Sequence, residues 1–283
     1  MNKRLIFTVA TGRCGTKYLA MVLRAIPGVS SHHEPRPDFA EVMRAVQTNS
    51  DLAHRFWIEQ KLPVIERQKA PVYIETSHVF CKGFFEPLLA LGYTPDVIVL
   101  TRSLRQVALS FCRIGSIPGR TKNGLKYLLS PDDPGVLRVP LWQDWDDYQL
   151  CYWYCLEIHR RAQEIEQKVL ERRGRVVHTS TDVVSTVAGF RRLLKALDLP
   201  NPGLAGWAKY FRYGKRRINI QTERKSTVVL SDALESLEQR VIEQVRQYNP
   251  DFSVPWSQLA CVCASGREAV QIRVVQDAAS TQR

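Results

Sequence analysis

Short apolar runs that end in polar turns recur along the chain, with stretches of helical spacing between them. Leu5-Ile6-Phe7-Thr8-Val9 is rich in β-branched and aromatic residues and predicts a buried strand. After the turn Ala10 to Thr16 a helix is expected from Lys17, with Leu19, Val22 and Leu23 on one face, closing near Ala25-Ile26-Pro27-Gly28. Val29 to Pro35 reads as a second short strand running into a loop, where Pro35 and Pro37 favour extended conformations in the residues before them. Residues 38–69 carry Phe39, Val42, Met43, Val46, Leu52 and Phe56 at three- and four-residue spacings and read as helical. Pro71 to His78 is a third strand with a polar end, Phe84 to Leu91 a short helix closed by Gly92, and Asp96 to Leu100 the most apolar strand of the chain. Thr101-Arg102-Ser103 follows it directly and leads into a helix over Leu104 to Phe111. Strands and helices alternating at this spacing predict a central parallel sheet flanked by helices, an α/β fold. Further on, Gly115 to Leu141 reads as a long loop or lid, and Trp142 opens a long helix containing Tyr152, Trp153 and Tyr154. Leu230 to Tyr248 is an amphipathic helix through Leu234, Leu237, Val241 and Val245; from about Ser265 no pattern stands out.

The first turn, Thr11-Gly12-Arg13-Cys14-Gly15-Thr16, changes the picture from fold to chemistry. Two glycines let the backbone curl so that successive N–H groups point into one concavity. The helix that follows adds its positive dipole end and unpaired donors, and Arg13 and Lys17 add full charges. An anion site, most simply for a phosphate, is expected there. The turn is not a Walker A loop: G-x-x-x-x-G-K-S/T needs a lysine directly after the glycine, and Gly15 is followed by Thr16.

Composition narrows the partners. At 283 residues with 45% apolar content, one domain spanning residues 1–283 is the simplest count, with a lid at about 113–150 and an extension from about 256. No run is long enough to span a membrane and no signal peptide is apparent. The seven cysteines lack metal-ligand or disulfide spacing, so no metal is expected and a cytoplasmic setting fits best. The net charge of +12 allows nucleic acid, an acidic membrane surface or a small polyanion as partner. With no nucleic-acid-binding signature and no basic tail, a nucleotide with several phosphates accounts for the balance.

A second phosphate site is expected at VIVLTRSLRQVALSF. In P-loop phosphoryl-transfer enzymes such a strand usually ends in an aspartate that holds magnesium. Here it ends in Arg102, with Ser110 eight residues on, and an arginine and a hydroxyl can clamp a phosphate.

In this order the two motifs resemble those of sulfotransferases that use 3′-phosphoadenosine 5′-phosphosulfate (PAPS). TGRCGT is similar to the family's 5′-phosphosulfate loop and VIVLTRSLRQVALSF to its 3′-phosphate motif. Val176 to Val184, leading into Phe190 to Leu194 and Leu197 to Pro200, is similar to a later strand and helix, so the likeness covers about residues 3–200. It implies the P-loop NTPase-like sulfotransferase fold and transfer of a sulfuryl group from PAPS to an acceptor hydroxyl or amine, leaving 3′-phosphoadenosine 5′-phosphate (PAP) without a metal. It implies further that Thr11, Gly12, Arg13, Cys14, Gly15, Thr16 and Lys17 surround the 5′-phosphate and sulfuryl group. Arg102 and Ser110 would hold the 3′-phosphate, and the basic run at Lys215, Arg216 and Arg217 would close over the nucleotide. Cys14 stands where serine is usual, and Lys17 where a second threonine is common.

An alcohol acceptor needs a general base. Glu34, His33 and His78 lie at expected strand ends and are taken in that order. Adjacent residues on an extended segment point to opposite sides, so His33 and Glu34 are not both expected to face the acceptor. The overall look is similar to bacterial enzymes that tailor natural products, with a small-molecule acceptor and neither membrane nor nucleic acid as partner. The aromatic and acidic segment from Trp142 would suit a guanidinium alkaloid of the saxitoxin type through cation–π and ion-pair contacts, although core-facing aromatics and a helix start rich in Asp explain it as well. The alternatives are a P-loop-like nucleotide kinase or NTPase and a non-enzymatic module that binds anions or nucleic acid.

Overall fold

The computed structural model describes residues 3–214, 231–253 and 273–275. In chain order the elements are β1 (Arg4–Val9), α1 (Thr16–Leu23), β2 (Val29–His32), α2 (Met43–Thr48), α3 (Asp51–Phe56), α4 (Leu62–Glu66), β3 (Val72–Glu75), α5 (Phe85–Ala90), β4 (Asp96–Thr101), α6 (Leu104–Ile114), α7 (Lys122–Tyr127), α8 (Asp147–Glu171), β5 (Val176–Ser180), α9 (Thr181–Val184), α10 (Val187–Ala196), α11 (Gly203–Gly214), α12 (Ser231–Tyr248) and β6 (Arg273–Val275). They group into two compact units, one of residues 3–101, 162–214 and 273–275, the other of 102–161 and 231–253.

The first unit holds the sheet, in the order β2-β3-β1-β4-β5-β6. The first five strands are mutually parallel, as the alternation of strands and helices predicts, and β6 joins the edge antiparallel to β5. β1 lies centrally and is buried over five of its six residues, which explains why all of these but Thr8 are apolar. From β1 the chain moves towards β2, and from β4 towards β5. The neighbouring ends of β1 and β4 therefore flank the point where the connections diverge, the usual ligand position in open α/β sheets. Behind β1, Phe7 stacks on Phe80 at 4.4 Å and meets Trp57 edge-on at 5.6 Å. Rings of this kind contribute roughly 1.5–3 kcal/mol each by burial and make a rigid floor under the strand.

The expected helix over 38–69 is divided. Asn49 adopts an extended conformation (φ −144°, ψ 96°) and separates α2 from α3, as suits a Thr-Asn-Ser stretch whose side chains compete for the backbone. A π turn, Trp57–Lys61, then separates α3 from α4.

In the second unit, α6 starts behind Ser103, whose hydroxyl accepts the Gln106 N–H, and stops at Gly115 in the left-handed conformation. The expected loop of 115–141 contains a further helix, α7, capped by Thr121. The long helix begins only at Asp147, after a short 3-10 turn at Trp142–Asp144. Tyr152, Trp153 and Tyr154 are all 0% exposed, so these rings belong to the core. Glu238 of α12 accepts hydrogen bonds from Arg105 at 2.7 and 2.8 Å and from the Tyr148 hydroxyl, anchoring α12 within this unit.

Candidate active site

The turn after β1 is built from left-handed residues. Gly12, Arg13 and Gly15 have φ of 85°, 56° and 89°, and for arginine this costs roughly 1–2 kcal/mol, which the surrounding structure must hold. Part of the holding comes from Cys14, whose buried Sγ lies 2.8 Å from Thr11 Oγ1 and donates to the Gly12 carbonyl at 3.2 Å. The Thr11 hydroxyl also donates to that carbonyl, at 2.8 Å. The side chain at position 14 thus braces the loop from within, and a cysteine serves there as a serine would.

Gly15 caps α1 without any side-chain hydrogen bond, and the first turn of the helix carries no acidic residue. Its early N–H groups and dipole end are therefore available to an anion, with the exposed Lys17 on the first turn and the half-buried Arg13 in the loop. The glycine is required twice over, since a Cβ there would sit 2.2 Å from Thr181 Cγ2 in addition to the strain of φ +89°. Gly15→Ala is expected to lower the melting temperature by roughly 2–8 °C, taking 1–2 kcal/mol of strain and 2–4 °C per kcal/mol. Adding Thr181→Ser, which removes Cγ2, should return part of the loss in thermal unfolding. No recovery would mean that the steric contact plays no part.

The second group of residues comes from the neighbouring strands β2 and β3. His32 pairs with Glu75 in the parallel ladder, so the residues after each leave the sheet side by side. The Thr76 carbonyl faces His33 Nδ1 at 2.8 Å; a carbonyl only accepts, so Nδ1 carries the proton and Nε2 the lone pair. Glu34 has φ 46°, and this left-handed residue breaks the extended alternation. His33 and Glu34 therefore lie on the same side, with His33 Nε2 3.8 Å from Glu34 Oε2, contrary to the expectation from a strand. The other oxygen, Glu34 Oε1, lies 2.6 Å from His78 Nδ1. One carboxylate thus sits between two imidazoles.

Burial pushes the Glu34 carboxyl up, but the charge and hydrogen bond of His78 and the charge of His33 outweigh it and hold the group at about 2. His78 moves down, chiefly through burial and then the Lys82 charge, against the pull of Glu34. The direction for Glu34 stands whether or not His78 carries a second proton, because Nδ1–H donates to the carboxylate in either case.

Thr76 joins the two groups. Its hydroxyl donates to the Thr16 carbonyl at 2.9 Å, at the first residue of α1, while its own carbonyl receives His33. Residues 11–17, His33, Glu34 and His78 are therefore brought together within one unit. Thr76 and Thr181, which complete this arrangement, stand in no motif of their own; only their positions at strand ends hint at them. Arg102 belongs to the second unit, exposed, with Nε donating to Gln106 Oε1 at 3.0 Å, and Ser110 is half-buried on α6. Lys215, Arg216 and Arg217 lie outside the described residues, as does the extension from about 256 apart from β6. Among the described residues no group of three or more His, Cys, Asp or Glu is placed to hold a metal, and no helix is long and apolar enough to cross a membrane. The five described cysteines, Cys14, Cys81, Cys112, Cys151 and Cys155, are outside any disulfide.

No family model and no curated protein matches the chain. Among solved structures it is similar to the sulfotransferase domain from the curacin biosynthetic pathway, with a TM-score of 0.50 and 14% identity over 89% of this chain and 99% of that one. At that identity the likeness concerns the fold, which the two share.

Proposed function

We propose that this chain transfers a sulfuryl group from PAPS to a hydroxyl, or an amine, of a small-molecule acceptor. The observation that carries the reading is the single hydrogen-bonded frame joining an uncapped, glycine-bent helix start to a His33–Glu34–His78 cluster through Thr76. The sulfotransferase-like fold adds to it. The cradle fits an anionic donor: left-handed backbone, no capping side chain, no acidic residue in the first turn, and two cations at its rim. In this reading residues 11–17 hold the 5′-phosphosulfate, and Arg13 and Lys17 stabilise charge that develops on the bridging oxygen. Arg102 and Ser110, with Lys215, Arg216 and Arg217, are proposed by resemblance for the 3′-phosphate end.

Of the three expected bases, the geometry favours His33. Glu34 at about 2 is a poor proton acceptor at neutral pH, and one of its oxygens is taken by His78. His33 Nε2 carries a lone pair, its tautomer is set by Thr76, and the adjacent carboxylate stabilises the imidazolium that forms. The acceptor O–H would give its proton to Nε2 as its oxygen bonds to sulfur and the bond from sulfur to the phosphate oxygen breaks, with PAP leaving. Positioning and charge stabilisation supply the rest.

A guanidinium alkaloid stays one acceptor that the segment at Trp142 would suit, through the exposed Asp144 and Asp146, whereas Tyr152, Trp153 and Tyr154 are core residues and Asp147 is paired with Arg120 at 2.8 Å. A panel of hydroxylated metabolites incubated with PAPS and read by mass shift tests the acceptor class. We take the enzyme to be a cytoplasmic one of natural-product type, its described thiols suiting a reducing setting.

The donor is tested by thermal shift. At a hundredfold excess over its dissociation constant PAP should stabilise by about 2.7 kcal/mol, or roughly 5–10 °C, without magnesium. AMP and ATP with magnesium should do little. Equal shifts from PAP and AMP would mean that the 3′-phosphate is not read, and a larger one from ATP with magnesium would favour an NTPase.

A further inference from the structure

Beneath the His33–Glu34–His78 cluster lies a buried charge that the proposed chemistry does not use. Lys61 closes the π turn between α3 and α4 and is 1% exposed. Its ammonium has three N–H groups and three acceptors: the Pro35 carbonyl at 3.2 Å, the Pro37 carbonyl at 2.8 Å and Glu75 Oε1 at 2.8 Å. The Phe39 ring packs 4.5 Å from Nζ. Glu75 is 0% exposed, and its second oxygen accepts the Tyr73 hydroxyl at 2.6 Å.

A buried ion pair is poor support for stability, because a well-packed apolar replacement often does as well. The placement of this one says more. Pro35 directly follows Glu34, and Pro35 and Pro37 have no N–H with which to tie their segment down. The left-handed Glu34 needs its surroundings to hold it. On the other side, Glu75 directly precedes Thr76, whose carbonyl sets the His33 tautomer. Lys61 and Glu75 therefore bridge the two strand exits, just after Glu34 on one and just before Thr76 on the other. π turns inside helices are also frequent near functional sites.

We propose that Lys61, paired with Glu75, is a positioning residue that clamps the Glu34 turn against the end of β3 and so holds both imidazoles on one carboxylate. It touches no substrate in this scheme. The inference rests on the reading of the cluster as the proton acceptor.

The test is the triple variant Lys61→Met, Glu75→Leu, Tyr73→Phe, which removes the charges together and leaves no buried charge unpaired. It is expected to melt within a few degrees of wild type and to bind PAP with affinity changed by less than about threefold. Turnover should fall about a hundredfold with KM for PAPS unchanged, as for a misplaced catalytic group. In ¹⁵N spectra His33 and His78 should lose the Nδ1–H tautomer that Thr76 and Glu34 impose. Should the triple variant not fold, the neutral pair Lys61→Gln/Glu75→Gln, which keeps hydrogen-bonding groups at both positions, takes its place with the same readouts. A folded variant with wild-type turnover and unchanged histidine tautomers overturns the proposal. If wild type does not consume PAPS, the enzymatic reading fails instead, and the histidine spectra alone decide whether the clamp exists.

Discussion

Replacing His33 by Asn is expected to lower turnover at neutral pH by about 10²- to 10⁴-fold, the usual range for loss of a general base. Asn keeps an N–H that can reach the Thr76 carbonyl, so the local fold should survive, and PAP binding, which His33 does not enter, should stay within about threefold. The pH dependence separates His33 from Glu34. A base acts when deprotonated, so its rate is lost as the pH falls through its pKa. Glu34 is held at about 2, and a Glu34 base would leave turnover level from pH 8 to pH 4. A rate that falls within that interval would rule the carboxylate out as the base. Steady-state rates across that interval decide the matter, and a level profile together with an active His33→Asn variant would return the role to the carboxylate.

Arg13→Ala is expected to lower kcat by about 10²- to 10³-fold, the range for removing one preorganised group that stabilises transition-state charge. PAP affinity should fall far less, since the loop backbone and the helix start also hold the phosphate. Arg13 sits at φ 56°, a strain that alanine bears as arginine does. Arg13→Asn is the control: asparagine tolerates the left-handed region, so a loss of kcat common to both variants is due to the charge. Equal losses in kcat and in PAP affinity would reduce Arg13 to a binding residue.

The parts of the site legible in the sequence are those that depend on neighbours along the chain. The bend at Gly12 and Gly15, the cations at 13 and 17, and the arginine after the most apolar strand are all local, and local residue chemistry sets them. The same holds for the strand runs at Leu5 and Val97, which name themselves by composition and are buried as such runs must be. The boundary errors have the same origin in reverse: the break at Asn49 and the π turn before Leu62 interrupt an apolar spacing that by itself reads as one helix. The aromatics of α8 show the limit of composition. Tyr152, Trp153 and Tyr154 look equally fit for a pocket or a core, and only packing assigns them to the core.

What sequence alone determined, then, is a parallel α/β chain with a glycine-bent, basic turn after its first strand and a second basic motif after its fourth. The tertiary structure decided how the proposed proton acceptor is assembled. Glu34 and His78 meet across 44 residues because β2 and β3 are adjacent and in register at His32 and Glu75. His33 joins them because one left-handed residue cancels the alternation that a strand would impose. Thr181 reaches Gly15, and Lys61 reaches Pro35 and Pro37, by the same route. The physical reason is range. Backbone bends and charge placement are properties of a few consecutive residues, whereas strand order and the sign of a single φ are fixed by the whole core packing around them.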